Sequence, residues 1–247
     1  MISYLAIFDV DNTLISLDES IDFDGLLIRA FQEMHVEIPS QMKRDTLWRA
    51  GKDHANLLKE WGVDDPRQFW EIFDRLDFDA RSEAVKAKKI VLFPDALATL
   101  ASLKESRFVR LAVHTNSPSI LARFQLEHFG LIQFFDYVLA LDVAGYDQSR
   151  AKPEPWGIQH IQSVMKRKFN TEFSRATVFV GDSEIDMLAA SNAGIPGIKI
   201  AREAVSKKES KAFDVVTSLS CITPLYIDGI LRHFHGQIYE GKKRKRV

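Results

Sequence analysis

Four apolar segments of the sequence are each followed by polar residues of types that could do chemistry. In chain order these residues are Asp9 and Asp11, Thr115 and Asn116, Lys152, and Asp182 with Asp186. Carboxylates that are gathered at one place repel one another unless a cation lies among them. Taken alone, Asp9 and Asp11 could equally be aspartates that stabilise a turn, so their role depends on what the rest of the chain places beside them.

The residue types in this set favour a magnesium site next to an anion site. Carboxylate oxygens are hard ligands that suit Mg²⁺, whereas neither thiolates nor clustered histidines are available to select zinc. Thr115 comes just before a predicted helix that Ser117 would cap, and the free N–H groups of a helix start attract anions. Lys152 adds a positive charge for the same anion. A metal and an anion site beside a buried carboxylate are typical of phosphoryl transfer through an acyl phosphate.

A parallel sheet would bring these residues together. The apolar runs that predict its strands cover residues 4–10, 108–113, 137–141 and 177–180, with short later strands over 195–200 and 214–216. Segments of helical periodicity separate the strands, which predicts right-handed crossovers and a doubly wound, Rossmann-like α/β sheet. Parallel strands present their carboxyl ends, and hence the polar residues that follow them, at one edge of such a sheet.

The stretch from 15 to 89 differs from the rest because it is polar, helical in spacing and rich in large aromatic residues. Helices are predicted over 23–34, over 43–61 and from Pro66 onward, with no convincing strand. We therefore predict a helical cap domain of residues 15–89, inserted into an α/β core that comprises 1–14 and 90–235. Residues 236–247 are predicted to form a basic, disordered tail.

The three tryptophans of this insertion, Trp48, Trp61 and Trp70, allow two interpretations. They could line a binding cleft, because an indole combines a large apolar area with a polar tip. Aromatic stripes at helical spacing more often form the core of a helical domain, and we favour that interpretation. Polar residues nearby, Arg49 and His54 among them, could meet a substrate anion or simply be solvated.

Composition narrows the classes of function. A formal net charge of -1 argues against a general nucleic-acid or membrane-surface binder. One cysteine, Cys221, excludes an internal disulfide framework, fits a reducing compartment, and is predicted to be a small core residue. No stretch approaches the roughly 18 apolar residues of a membrane helix. The chain enters a core strand without a leader segment, so a cytoplasmic location is expected.

The four motifs, taken in order, resemble those of the haloacid dehalogenase superfamily, in the phosphoglycolate phosphatase-like branch with a helical cap after the first motif. The matching segments are Asp9-Val10-Asp11-Asn12-Thr13, Thr115-Asn116, Lys152-Pro153 and Gly181-Asp182-Ser183-Glu184-Ile185-Asp186. They span the core, roughly residues 1–14 and 90–220, whereas the cap matches by position and helicity alone. Each motif is weak by itself, but four in the family's order are specific.

The resemblance implies a Mg²⁺-dependent phosphatase that hydrolyses a small phosphate monoester. Asp9 would attack phosphorus and become an aspartyl phosphate, and Asp11 would act as general acid and then general base. Thr115 and the Asn116 backbone would hold the phosphoryl oxygens, while Lys152 would steady both the phosphate and the nucleophile. The implied metal ligands are Asp9, Asp11 through its carbonyl, Asp182 and Asp186, the last bound to the metal or just behind it.

Several alternatives stay open after the motifs are weighed. Asp11 disfavours dehalogenases and ion pumps, but a phosphomutase keeps the same core residues. A receiver domain shares Asp, Thr, Lys and Mg²⁺ on a similar sheet, yet it is shorter and lacks an insertion. A non-catalytic phosphoacceptor or binding module is a further class. The sequence leaves open which ester is hydrolysed, which cap residues select it, and the oligomeric state.

Overall fold

A parallel sheet lies at the centre of the computed structural model, which describes residues 3–17, 21–48, 50–144, 148–202 and 213–244. The strands are β1 Tyr4–Phe8, β2 Ile15–Ser16, β3 Val91–Leu92, β4 Val109–His114, β5 Tyr137–Leu139, β6 Thr177–Gly181, β7 Gly197–Ile200 and β8 Asp214–Val216. Six of them form one sheet in the order β5-β4-β1-β6-β7-β8, and all its pairings are parallel. The predicted doubly wound α/β class is confirmed.

Helices precede or follow the strands on both faces of the sheet. They are α1 Phe23–Glu33, α2 Gln41–Leu47, α3 His54–Glu60, α4 Pro66–Lys86, α5 Ala96–Glu105, α6 Ser119–His128, α7 Trp156–Phe169, α8 Glu184–Asn192 and α9 Pro224–Arg244. Apolar residues of α5 and α9 pack on one face of the sheet, and those of α7 and α8 pack on the other. Helices α1 to α4 lie between β2 and β3 in the chain.

Strand β1 occupies the position that its sequence predicts. It pairs with β4 on one side and β6 on the other, so its end lies between the ends of two other motif-bearing strands. Ala6 and Phe8 belong to the core on one face, whereas Leu5 and Ile7 belong to the core on the other. A strand buried on both faces needs such a continuous apolar run, which explains the composition of residues 4–8.

The helical segment from α1 to α4 departs from the prediction in two details. The single helix predicted over 43–61 is two helices, α2 and α3, because the chain turns at Gly51, whose φ of 48° lies in the left-handed region that favours glycine. Residues Ile15–Ser16 form a strand after all, since they pair antiparallel with β3. This short ribbon is where the chain leaves the sheet for the helices and returns.

Two predictions outside the site are wrong. Cys221 is exposed rather than part of the core. Helix α9 continues to Arg244, so most of the basic stretch is helical, whereas a disordered tail was expected; residues 245–247 lie outside the described residues. Within the described parts of the chain, no helix is both long and apolar enough to span a bilayer.

Candidate active site

A cavity of about 410 Å³ opens at the carboxyl edge of the sheet and extends up to helices α2 to α4. Six of the predicted site residues line it, namely Asp9, Asp11, Thr115, Asn116, Lys152 and Asp182. The seventh, Asp186, lies directly behind Lys152 and bonds to it. The strand ends therefore bring together all the residues that the motifs identify, as the parallel topology requires.

Lys152 is held between two carboxylates in the floor of the cavity. Its Nζ donates to Asp9 Oδ1 at 2.5 Å and to Asp186 Oδ1 at 2.7 Å. Burial alone would lower the pKa of Lys152, but Asp186 and Asp9 raise it above its usual value, so the side chain is an ammonium. Burial also raises the pKa of Asp9 well above its usual value, against the opposing effect of Lys152. The ammonium of Lys152 therefore does not offset the burial of Asp9.

Three carboxylates converge at this point in a way that suits a metal ion. Among the described residues, Asp9, Asp182 and Asp186 each offer an oxygen, and these oxygens lie within 4.8 Å of one another. Burial, together with the charge of Asp186, raises the pKa of Asp182 to about 6. A hard divalent cation bound by oxygen ligands would relieve both the repulsion and the burial cost, so the donor set fits Mg²⁺.

Asp186 is fixed by the turn that starts helix α8. Its Oδ2 accepts hydrogen bonds from the Ser183 backbone N at 3.0 Å and from Ser183 Oγ at 2.6 Å, while Ser183 Oγ caps the helix by accepting from the Asp186 backbone. This capping box aims Oδ1 of Asp186 at Lys152. A Cβ on Gly181 would lie 2.4 Å from Asp186 Oδ2, so the motif needs glycine there to admit the carboxylate.

The residues after β4 hold the loop that carries Lys152. The Asn116 side chain accepts from the Lys152 backbone N at 2.9 Å and donates to the Lys152 carbonyl at 3.2 Å. Thr115 is 2% exposed, and its Oγ1 accepts from the Ser117 backbone N. The Thr115–Asn116 motif thus lies beside the nucleophile candidate and also fixes the position of its lysine partner.

Asp11 lies apart from the carboxylate cluster and has its own partners. Ser117 Oγ donates to Asp11 Oδ2 at 2.9 Å. Ser117 was predicted to cap helix α6, but its side chain makes no capping bond, and Pro118 is the residue that precedes the helix.

The turn between Asp11 and β2 is closed by Asn12, whose φ is 55° and whose side chain accepts from the Leu17 backbone. Asn is one of the few residues that adopt this conformation readily.

Arg81, on helix α4, is the main residue of the candidate site that the sequence did not reveal. Its Nη1 donates to both carboxylate oxygens of Asp11 at 2.8 Å, and its Nε donates to Asp77 Oδ1 at 2.9 Å. Burial would lower the pKa of Arg81, but Asp11 and Asp77 raise it, and burial raises the pKa of Asp77 against the effect of Arg81. In the sequence, Asp77 and Arg81 are visible only as opposite charges four residues apart on a predicted helix. Such a pair usually indicates a solvent-exposed helix face, so it did not point to the site.

Aromatic residues of the helical segment form the far side of the cavity. Trp48 and Trp70 line it, and Trp70 is 6% exposed while Trp48 is 45% exposed. The preference for a core role is therefore wrong for Trp48, whereas Trp70 belongs to the hydrophobic core as well as lining the cavity. Trp61 packs on Phe31 inside the helical segment, with ring centroids 6.3 Å apart. Their neighbour His54 lines the cavity too, and Arg49 lies outside the described residues.

This fold and site define a class of doubly wound α/β enzymes that act on small ligands at the ends of their strands. Residues 6–200 match the model of the haloacid dehalogenase-like hydrolases, and the chain belongs to that family. The family resemblance and the assignment as a hydrolase are confirmed.

Individual relatives match along most of the chain. Phosphoglycolate phosphatase of Agrobacterium fabrum is 27% identical over 240 residues, which cover 93% of this chain and 95% of that protein. Pyrophosphatase PpaX of Halalkalibacterium halodurans is 27% identical over 191 residues, covering 76% of this chain and 79% of that protein. The crystal structure of CbbY from Rhodobacter sphaeroides in complex with phosphate superposes with a TM-score of 0.64 at 22% identity, covering 92% of this chain and all of that one.

Proposed function

We propose that the protein is a Mg²⁺-dependent phosphatase that hydrolyses a small phosphate monoester through an aspartyl phosphate on Asp9. The observation that carries this proposal is the buried carboxylate of Asp9, which Lys152 contacts at 2.5 Å at the end of the central strand. A phosphoglycolate phosphatase and a pyrophosphatase among the relatives support the same reaction class.

The metal would be held by Asp9, Asp182 and Asp186, together with the backbone carbonyl of Asp11. When bound, Mg²⁺ supplies positive charge that a phosphoryl group can approach and that offsets the charge gathered in the transition state. The proximity of the three carboxylate oxygens, within 4.8 Å of one another, supports this ligand set. The Thr115 hydroxyl and the Lys152 ammonium would bind the phosphoryl oxygens.

The reaction would occur in two steps. An Asp9 oxygen attacks phosphorus, the bond from phosphorus to the ester oxygen breaks, and Asp11 gives a proton to the departing alcohol. Asp11 then takes a proton from water, the resulting oxygen attacks phosphorus, and the Asp9 carboxylate is released with inorganic phosphate. Phosphate monoesters hydrolyse so slowly unaided that the site must lower the barrier by on the order of 20 kcal/mol or more.

We further propose that residues 15–89 act as a cap over this site, with residues 1–14 and 90–235 as the core. Helix α4, which belongs to the proposed cap, supports this arrangement. Its side chains line the cavity, and Arg81 bonds to Asp11 of the core. A cap that covers the bound ester excludes bulk water, which strengthens every electrostatic contact in the site.

Phosphate release tests the proposal directly. The purified chain should hydrolyse at least some members of a panel of phosphate monoesters with Mg²⁺, and chelation of the metal should stop turnover. Quenching during turnover should leave acid-stable phosphate on the peptide that contains Asp9, and Asp9→Asn should not be labelled. As a matched control, Asp79→Asn changes an exposed carboxylate on α4 and should behave as the wild type. Catalysis that is indifferent to chelator would rule the proposal out.

A further inference from the structure

The carboxylate of Asp11 is held by two side chains that come from different parts of the chain. Arg81 lies on helix α4, and its Nη1 donates to both carboxylate oxygens at 2.8 Å. Ser117 lies just after β4, and its Oγ donates to Oδ2 at 2.9 Å. Because Asp11 is the proposed acid and base, these contacts set the direction in which its carboxylate faces the cavity.

The two oxygens of Asp11 differ in the lone pairs that they have left. A carboxylate has about four lone-pair sites, two on each oxygen. Oδ2 accepts from Arg81 and from Ser117, whereas Oδ1 accepts from Arg81 alone among the described residues. Asp11 lines the cavity, and its side chain is 21% exposed. Oδ1 is therefore the oxygen that can exchange a proton with a group in the cavity.

Arg81 is itself fixed from several sides. Its Nε donates to Asp77 Oδ1 at 2.9 Å, and Gln125 Oε1, on helix α6, accepts from its Nη1 at 3.4 Å. The guanidinium carbon lies 5.5 Å from the centre of the Phe23 ring, and the Arg81 side chain is only 4% exposed. A buried guanidinium with these neighbours has little freedom, so it can hold the carboxylate of Asp11 in one orientation.

Ser117 reaches Asp11 from a rigid part of the core. Its backbone N donates to Thr115 Oγ1 at 3.1 Å, and its carbonyl accepts from the Leu141 backbone N at 3.1 Å. The residue is 8% exposed. The hydroxyl of Ser117 is thus held by the end of the sheet, whereas Arg81 is held by the helical segment.

We propose that Arg81 and Ser117 are positioning residues that turn Oδ1 of Asp11 toward the leaving oxygen of a bound phosphate ester. The inference rests on the proposed phosphatase function and specifies what controls its acid–base steps. The proton moves from Oδ1 to the ester oxygen as the bond from that oxygen to phosphorus breaks, and it moves from water to Oδ1 in the second step. Since Arg81 lies on α4, proton transfer depends on the helical segment, whereas attack by Asp9 does not.

Leaving groups of different acidity separate proton transfer from the rest of the reaction. Ethyl phosphate and acetyl phosphate are similar in size, but an alcohol is a far weaker acid than a carboxylic acid. Ethoxide must therefore be protonated as it departs, whereas acetate departs as a stable anion. A misplaced Asp11 should slow the reaction of ethyl phosphate and spare that of acetyl phosphate. The quantity to compare is kcat/KM, which reports the steps up to the departure of the leaving group.

Arg81→Lys tests the contact from the helical segment. Lysine keeps the positive charge beside Asp11 and Asp77 but lacks the planar guanidinium, so the change alters geometry rather than charge. With saturating Mg²⁺, kcat/KM for ethyl phosphate should fall by about 10–50-fold, and kcat/KM for acetyl phosphate should fall by less than about threefold. Breakdown of the phosphoenzyme needs the same carboxylate, so rapid-quench measurements should show it slowed whichever ester formed it.

Ser117→Ala tests the contact from the core and keeps the proposal testable if Arg81→Lys fails to fold. It removes one hydroxyl and should lower kcat/KM for ethyl phosphate by about 3–10-fold, with little change for acetyl phosphate. Arg75→Lys is the matched control, because it alters an exposed ion pair with Glu33 on the surface of α4 and should leave the ratio between the esters unchanged. A ratio between two substrates is not distorted by a fraction of unfolded enzyme.

The outcomes separate this inference from the proposed function. If no ester releases phosphate with Mg²⁺, the phosphatase assignment itself fails. If Arg81→Lys and Ser117→Ala each slow ethyl phosphate selectively, both residues position the proton donor. If either substitution lowers kcat/KM for the two esters alike, or for neither, that residue does not act through Asp11, and the inference is overturned while the phosphatase assignment stands.

Discussion

The sheet edge and helix α4 each bury a cation between two carboxylates, but they do so with different chemistry. At the sheet edge Lys152, whose side chain is 5% exposed, bonds to Asp9 and Asp186. On α4 the guanidinium of Arg81, whose side chain is 4% exposed, bonds to Asp11 and Asp77. The ammonium is a compact point charge that can also face a bound anion, whereas the guanidinium uses separate nitrogens for its two partners.

The two arrangements also differ in what holds them in place. Asp9 directly follows β1 and Asp186 lies in α8, so the partners of Lys152 are fixed by the sheet and by the helix after β6. Arg81 has one partner on its own helix, Asp77, and one across the cavity, Asp11. The nucleophile candidate therefore depends on the α/β core, while the acid–base candidate also depends on where α4 lies.

The largest effect should follow from removing the carboxylate at the sheet edge. Asp9→Asn takes away the proposed nucleophile, so kcat should fall by at least about 10⁴-fold, or about 5.5 kcal/mol in the barrier. Steady-state phosphate release measures this, and circular dichroism should show an unchanged fold. Activity retained within tenfold would reject Asp9 as the nucleophile.

A smaller loss should follow from removing the carboxylate that Arg81 holds. Asp11→Asn removes the proposed acid and base, which are typically worth about 10²–10⁴-fold in rate. Rapid-quench measurements should show that both formation and breakdown of the phosphoenzyme are slowed. Slowing of only one step would limit Asp11 to a single role, and an unchanged rate would remove it from the chemistry.

The sheet edge and helix α4 also differ in how well the sequence predicts the residues that lie together there. The sheet-edge residues follow apolar runs, and a parallel sheet gathers strand ends at one edge, so Asp9, Lys152 and Asp186 could be grouped without coordinates. Their local signals are strong because Asp9 directly follows its strand and Asp186 lies in the first turn of the helix after β6.

The partners of Asp11 gave no comparable signal. Arg81 lies 70 residues from Asp11 in the chain, and Ser117 lies 106 residues away. The contact of Arg81 depends on how α4 packs over the sheet, which no local pattern encodes. Ser117 follows β4, the strand beside β1, and the sequence assigned it to the start of helix α6 instead. Gly51 illustrates the same limit, because a periodic apolar pattern continues through 43–61 and masks the turn that separates α2 from α3.

Removing the cation at the sheet edge should cost stability in a metal-dependent way. Lys152→Met leaves Asp9 and Asp186 buried without their partner, and such a loss typically costs about 3–5 kcal/mol in the free energy of unfolding. Mg²⁺ binds the same carboxylates in our proposal, so it should stabilise the variant more than the wild type. Urea unfolding with chelator and with Mg²⁺ measures both values.

A surface lysine provides the control for that experiment. Lys166→Met removes an exposed ion pair with Glu172, and it should leave the metal dependence of unfolding unchanged. Equal destabilisation of Lys152→Met with and without Mg²⁺ would show that Lys152 and the metal do not compensate for the same buried carboxylates.

The smallest and most discriminating effect should come from a conservative change on α4. Arg81→Lys keeps the charge but has one nitrogen, which cannot serve Asp11 and Asp77 with the same geometry. We expect kcat to fall by about 10–50-fold, corresponding to about 1.4–2.3 kcal/mol, while the Mg²⁺ concentration for half-maximal activity stays within about twofold. Arg75→Lys, also on α4, alters an exposed ion pair with Glu33 of α1 and should change neither value. If Arg81→Lys instead weakened Mg²⁺ binding as much as it lowered kcat, the two regions would act as one, and the independence of the sheet edge from α4 would be disproved.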